Sequence, residues 1–448
     1  MTTIVRPEEW TSSATDALEI VMADADGATA AEFKPELTYQ IFGRAETVYG
    51  YKDLRLKLRF GGPELLPLLE TTYADKLEDE SALAELVQSG WEDAEGSDGS
   101  DGEGEAADTG SDEPDPDRRL RQFLPAETCA DEATWRGRLR PAAEFAPPGQ
   151  RRASYERAGA TYEIWKAAVT DAGAAELLRR MQILVLLFIE GGSYIDLTDD
   201  RWLLYTVYER AASGPRLVGF ATVYSYWWFK SSELHDAAEV AAAADFFALA
   251  HRKRISQFLI LPPYHRQGHG AALYNALMDE YLADAQVREV TVEDPSQSFD
   301  DLRDRCDLLR LARRGVWADA GFGPAPVARA WLERTQEAEK MATRQFVRCV
   351  EMAQLSRLDK TDREAYRQYR LQVKRRLFHH NYDSLATASD VERIAALDSG
   401  YQAVEADYHR LVDGLDLAGA AAAAGVAEAK GKARAADEAA PAAKRPRV

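Results

Sequence analysis

The chain has 448 residues, 46% of them hydrophobic, and a formal net charge of −20, enough for two or three domains with sizeable cores. So acidic a chain is not a general nucleic-acid binder, and its longest aliphatic run, Ile183 to Ile189, is far too short to span a bilayer. Cys129, Cys306 and Cys349 lack metal-ligand spacing and indicate a reducing compartment, and the opening MTTIVRPEEW has acids and a proline where a signal peptide needs an apolar segment.

From Leu37 to Phe60 apolar and polar residues alternate, with Tyr51, Leu54, Leu56, Leu58 and Phe60 prominent, which predicts strands and turns. Glu92 to Asp117 then holds twelve acids and no base, so more than half of the excess charge is local. Such a stretch buries no apolar surface and is expected to be a disordered, solvated loop; a sharper reading is a transient dock for basic proteins. After the Pro147-Pro148-Gly149 break, Leu177, Leu178, Met181, Leu184, Val185 and Phe188 recur at helical spacing, stopped by Gly191 and Gly192 with Glu190 at the end. Arg201 to Tyr208 and Leu217 to Trp228 read as aromatic-rich strands joined by a Gly-Pro turn. Ser231 to Lys253 is an alanine-rich connection.

The chain is organised around Arg254 to Tyr281. Phe258, Leu259, Ile260 and Leu261 make a buried strand closed by Pro262 and Pro263; Gly268 and Gly270 follow, and Ala271, Leu273, Leu277 and Tyr281 recur at helical spacing. A glycine loop between a strand end and a helix start lets the backbone approach a ligand closely, and the free N–H groups of the first helical turn favour phosphate oxygens. A P-loop is a poor fit because His269 and Gly270 follow Gly268 where Lys and Ser/Thr belong. A dinucleotide fingerprint is another, because Leu273 holds the third glycine position. His265 and His269 lie four apart, but Arg266 stands where a zincin needs Glu, so no metal is expected.

Val287 to Val292 provides the next strand and leads to Glu293-Asp294-Pro295-Ser296, carboxylates with reach for proton transfer. From Trp331 the chain reads as helical, through Ala338 to Leu358, Arg363 to Leu377 and Val391 to Val412. Arg363 to Arg376 is basic and reads as a solvated face. Beyond Asp416 alanine dominates, and the end Lys444-Arg445-Pro446-Arg447 resembles a short nuclear import signal.

The loop His265-Arg266-Gln267-Gly268-His269-Gly270 is similar to the Gln/Arg-x-x-Gly-x-Gly/Ala loop of acetyl-coenzyme A dependent N-acetyltransferases, departing at His265. Its flanks RISQFLILPPY and VTVEDPSQSFDDLRDRCDL, with FIEGGSYIDLTDDRW, GFATVYSYWW, YRQYRLQVKRRL and EADYHRLV, closely resemble the type B histone acetyltransferase catalytic subunit family from about Leu37 to near Val412. The resemblance implies an α/β fold: a central mixed sheet of the GNAT N-acetyltransferase type over residues 150–330. Around it come an N-terminal α+β domain over 1–149, a C-terminal helical domain over 331–415 and a tail over 416–448.

It also implies acetyl-CoA as co-substrate, bound by main-chain groups of Phe258, Leu259 and Ile260, by His265, Arg266, Gln267, Gly268, His269, Gly270 and Ala271, and by Ser296 and Arg305. His265 would donate to a phosphate in place of the usual side chain, and His269 would pack within the loop. Glu293 is implied as general base, with Glu190 and Asp294 as supporting acids. Trp202, Tyr224, Ser225 and Tyr226 align with contacts to a histone tail. In the family, acids after the Phe-Gly pair also hold that tail; here Arg44 and Ala45 interrupt them and leave Glu46, which otherwise reads as a solvent-facing glutamate. The implied reaction is acetyl transfer to a lysine ε-amine in the tail of free histone four before chromatin assembly. A histone-binding WD-repeat β-propeller is the expected partner, and the location nucleus and cytoplasm. Two other readings stay open: transfer to another protein or small amine, and a silent histone chaperone subunit, against which the intact loop and strand-end carboxylates speak.

Overall fold

Alternation of side chains decides the first sheet. Strand β1 (Leu18–Ala23), β2 (Thr29–Phe33), β3 (Arg55–Gly61) and β4 (Leu66–Thr72) lie in the order β2-β1-β3-β4, with β1 and β3 parallel and the other pairs antiparallel. Along β3, Leu56, Leu58 and Phe60 are fully buried while Arg55, Lys57 and Arg59 take the other face. The computed structural model describes residues 6–79, 81–84, 86–88, 114–229, 231–233 and 249–422. Of the acidic stretch, residues 92–113 lie outside the described residues, as do the basic end of the chain and most of the alanine-rich connection. The last acids of that stretch are ordered rather than loop: Asp115 caps helix α1 (Pro116–Arg121), and Asp117 takes bonds from Thr71 and Arg121. A one-turn helix, Tyr39–Phe42, also interrupts the region expected to hold only strands and turns. Helix α2 (Glu132–Arg138) seats Trp135, whose indole N–H donates to the Leu66 carbonyl at 2.8 Å.

Contacts divide the chain into two units, Met1–Tyr226 with Arg254–Ala276, and Trp227–Lys253 with Leu277–Val448. In the first unit, β5 (Gln150–Arg157) and β6 (Ala160–Ala168) form a hairpin, followed by helices α3 (Ala172–Met181) and α4 (Ile183–Phe188). The single helix expected here is broken at Gln182 by a tightened turn, Val185 N–H to the Gln182 carbonyl at 2.9 Å; every residue of α4 is buried. Strands β7 (Trp202–Ala211) and β8 (Gly214–Trp227) pair antiparallel, and β9 (His251–Ile260) follows them, giving the order β5-β6-β7-β8-β9. The turn between β7 and β8 is Ala212-Ser213, so Gly214 and Pro215 begin the strand instead of bending the chain. Strand β9 is longer than its apolar run and buries alternate residues only. His251, Lys253 and Gln257 occupy inward positions that hydrophobic periodicity does not register.

The boundary between the units runs through β9 and helix α5 (His269–Ala283). In the second unit, β10 (Val287–Val292) accompanies the first residues of β9: His251 N–H donates to the Gln286 carbonyl at 2.9 Å, and Arg252 pairs with Glu289. Helices α6 (Gln297–Arg313), α7 (Arg329–Glu339), α8 (Thr343–Leu355), α9 (Arg363–His380) and α10 (Asp390–Val412) build a core around Leu311, Trp317, Trp331, Phe346, Tyr369 and Tyr408. The run expected as one helix from Ala338 to Leu358 breaks because Lys340 turns left-handed (φ +53). Its ammonium donates to the carbonyls of Tyr281 and Leu282 that α5 leaves unpaired. Among the described residues no helix is long and apolar enough to cross a membrane.

Candidate active site

Closure of the glycine loop begins with two prolines. Pro262–Tyr264 make one 3₁₀ turn after β9, Leu261 N–H donates to the Val218 carbonyl at 2.9 Å, and the chain then reverses with Arg266 at φ +59 and Gly268 at φ +84. Left-handed backbone of this kind costs an L-residue steric energy that glycine avoids. The first helical bond of α5 runs from Ala272 N–H to the Gly268 carbonyl, so the amides of His269, Gly270 and Ala271 precede it, at the positive end of a 15-residue helix. Gln267 braces the loop through the Pro263 carbonyl at 2.8 Å. The His265 Nε2 lies 2.6 Å from the Ile260 carbonyl and donates there, which leaves Nδ1 as the ring nitrogen not engaged by that bond. His269 is buried, as expected, among Tyr155, Tyr162 and Tyr264, with Nδ1 2.8 Å from the Tyr155 hydroxyl. Burial first, then the Arg157 charge, hold its pKa below the ordinary histidine value.

Leu259 and Ile260 run close beside β8 at Gly219. The β7–β8 register shifts between Val207 and Tyr208, and at Gly219, the partner of Val207, a Cβ would overlap the Leu259 carbonyl oxygen and stand 2.9 Å from Ile260 Cα. Further along, Gln257 accepts from Thr222 at 3.0 Å and donates to the Ser193 carbonyl at 2.7 Å, tying the segment after α4 to the sheet. Glu190 is exposed on that segment. Its neighbours are fixed on both sides, because Glu36 and Leu37 N–H donate to the Leu187 carbonyl and Gly191 N–H donates to the Tyr39 hydroxyl at 3.0 Å.

Trp202 and Tyr224 are cross-strand partners with rings 4.7 Å apart, and Tyr226 meets Tyr224 edge-on at 4.7 Å, a half-buried aromatic face. Asp199 anchors it: the carboxylate takes Arg201 at 2.8 Å and the Tyr224 hydroxyl at 2.9 Å. The Arg201 hydrogen bond in particular draws its pKa down to about 2. Ser225 does not share this face; it alternates to the opposite side and is fully buried. Glu46 is half-buried and held at φ +47, where its Oε1 accepts from both the amide and the hydroxyl of Thr38, at 3.0 Å for the hydroxyl.

In the second unit Glu293 directly follows β10 and is half-buried, and Asp294 is exposed with φ +32. Ser296 is the N-cap of α6, accepting from Phe299 N–H at 3.3 Å, and Arg305 donates to the Arg410 carbonyl at 3.0 Å. Among the described residues no group of three or more His, Cys, Asp or Glu is placed to hold a metal ion. Sequence reading missed Asp199, Gln257, Tyr39 and Tyr155. Asp199 had a signal in its place three residues before a strand tryptophan. Tyr155 had none, since its partner is 114 residues away.

A strand that ends in a left-handed glycine loop and opens a long helix, in a mixed sheet backed by helices, is the frame of a GNAT-type N-acetyltransferase. Residues 10–190 match the family described as histone acetyl transferase HAT1 N-terminus, and residues 304–359 match fungal HAT1, C-terminal. The histone acetyltransferase type B catalytic subunit of Candida albicans is 35% identical, covering 93% of this chain and 93% of its own. The corresponding subunit of Debaryomyces hansenii is 35% identical, with 92% of each covered, and that of Schizosaccharomyces pombe is 32% identical, with 90% of this chain and 93% of its own. Among solved structures, Arabidopsis thaliana NAA60 in complex with a bisubstrate analogue overlaps 34% of this chain and 82% of its own, at 14% identity and a TM-score of 0.22. The chain belongs to the type B histone acetyltransferase catalytic subunit family and is an acetyltransferase enzyme.

Proposed function

We propose that this enzyme transfers acetyl from acetyl-CoA to the ε-amine of a lysine in the N-terminal tail of free histone four, before chromatin assembly. The observation that carries the reading is the loop, with Gly268 at φ +84 leading into the start of α5, in a chain of this family. Its amides at His269, Gly270 and Ala271 suit pyrophosphate oxygens, and the Phe258–Ile260 backbone is the proposed rail for the pantetheine arm. Trp202, Tyr224 and Tyr226 are the proposed tail platform, where aromatic rings cover the aliphatic stem of a lysine and attract its cation. Arg305 and Ser296 remain proposed cofactor contacts, each beside the bond it already makes.

Glu293 is the proposed general base, supported by its place at the end of β10; Glu190 and Asp294 are the proposed auxiliary acids. A base is needed because lysine at pH 7 is a free amine only about once in 2,500 molecules, a handicap of roughly 4.6 kcal/mol. The proposed partner is a histone-binding β-propeller subunit, and the proposed location is nucleus and cytoplasm. Radiolabelled acetyl transfer to free histones, nucleosomes and small amines, with mass spectrometry of the products, tests the substrate. The expected outcome is preferred labelling of tail lysines of free histone four; equal or better labelling of nucleosomes or small amines would overturn it.

A further inference from the structure

The β5–β6 hairpin reaches the glycine loop through two side chains. Ala158 (φ +49) and Gly159 (φ +82) form its two-residue turn, which fixes Tyr155 and Arg157 two residues apart on one face of the edge strand β5. Tyr155 meets the His269 imidazole at 2.8 Å, and the Arg157 guanidinium lies against Gly268, its Cζ 2.8 Å from where a Cβ would stand. Neighbouring residues of the hairpin therefore touch neighbouring residues of the loop. Arg157 is exposed, and no hydrogen bond or carboxylate engages its guanidinium among the described residues.

An unpaired guanidinium beside the positive end of a 15-residue helix is repulsive on its own, and an anion seated between them removes that repulsion. Polar capacity is also left over at this helix start. His269 is 1% exposed, and its Nε2 has no hydrogen-bond partner among the described residues. We propose that Arg157 is a phosphate-binding residue of the acetyl-CoA site, its planar N–H donors taking oxygens of a phosphate ester of the cofactor. This rests on the reading that the 265–271 loop cradles that cofactor. Guanidinium geometry matches two oxygens of one phosphate, and coenzyme A carries two candidates, the pyrophosphate and the 3′-phosphate.

The test uses the full chain with Arg157→Gln, which keeps an uncharged polar side chain, and Arg157→Lys, which keeps the charge. Calorimetry gives Kd for coenzyme A and 3′-dephospho-coenzyme A, and acetyl transfer gives KM for S-acetylpantetheine, which has no phosphate. Arg157→Gln is expected to weaken coenzyme A at least tenfold and leave KM for S-acetylpantetheine unchanged, with Arg157→Lys recovering part of the loss. Equal loss with both nucleotides identifies the pyrophosphate as the group held; loss with coenzyme A alone identifies the 3′-phosphate. An equal rise in KM for S-acetylpantetheine would make Arg157 a structural brace and overturn the proposal, as would unchanged Kd values. Gly270→Glu decides the underlying reading separately: it abolishes coenzyme A binding if the loop is the cradle, and retained affinity would remove the cradle whatever Arg157 does.

Discussion

Gly219→Ala probes a point where β8 and β9 leave no room for a side chain. A methyl group there meets backbone, the Leu259 carbonyl oxygen and Ile260 Cα at 2.9 Å, with Ile260 Cδ1 at 2.7 Å. A side-chain tip can rotate away, but backbone in the middle of a sheet moves only by shifting a strand. Overpacking of this kind costs about 1–3 kcal/mol, and the backbone overlap puts this case at the upper end, about 2–3 kcal/mol. For a unit of roughly this size that lowers Tm by about 4–12 °C. The displaced segment is also the proposed rail for the pantetheine arm, so Kd for coenzyme A is expected to rise about tenfold or more in protein still folded at 20 °C. Differential scanning calorimetry and binding calorimetry on the same preparation check both. A Tm within 1 °C of wild type with unaltered Kd would refute the argument that this contact sets the position of Leu259 and Ile260.

Asp199→Asn tests the anchor of the aromatic face. Because the folded carboxylate titrates near 2, below its unfolded value of about 3.9, its stabilisation is complete above about pH 5 and lost as pH falls through 2. Urea midpoints of wild type and variant should therefore differ at pH 6, differ less at pH 3 and converge only below about pH 2. His269 has its folded pKa lowered, so the unfolded chain takes up the proton first and wild type should lose stability as pH falls through the unfolded value of about 6.5; His269→Gln should flatten that slope in the same titration. Tyr39→Phe removes the acceptor of Gly191 N–H beside Glu190, a loss of about 1 kcal/mol. Steady-state kinetics should show a kcat several-fold lower at unchanged KM for acetyl-CoA.

Local order was legible where a residue's role depends on its near neighbours. Strand β10, a helix that has ended at Phe188, ahead of Gly191 and Gly192, and the strand–loop–helix unit all follow from short-range periodicity and glycine placement. Breaks inside apolar runs were not legible, because Gln182 and Lys340 are ordinary helix residues in sequence. Their turns are fixed by bonds, one of them from Lys340 to carbonyls 58 and 59 residues away. The site divides in the same manner. Gly268 was readable from spacing. His265 and Glu46 each make a bond, to the Ile260 carbonyl and from Thr38, that is chosen by the folded backbone and has no signal in the sequence. Ser225 was assigned with its neighbours although strand alternation alone sends it to the opposite face.

The most direct test of the account is the pH–rate profile of Glu293→Gln with acetyl-CoA and a free histone-tail substrate. Removing the proposed base should lower kcat by about 100-fold or more at pH 7 and leave acetyl-CoA affinity unchanged. Activity should recover as rising pH frees the lysine amine without help. An unchanged kcat with an unchanged pH profile would contradict Glu293 as the base and turn the search to Glu190.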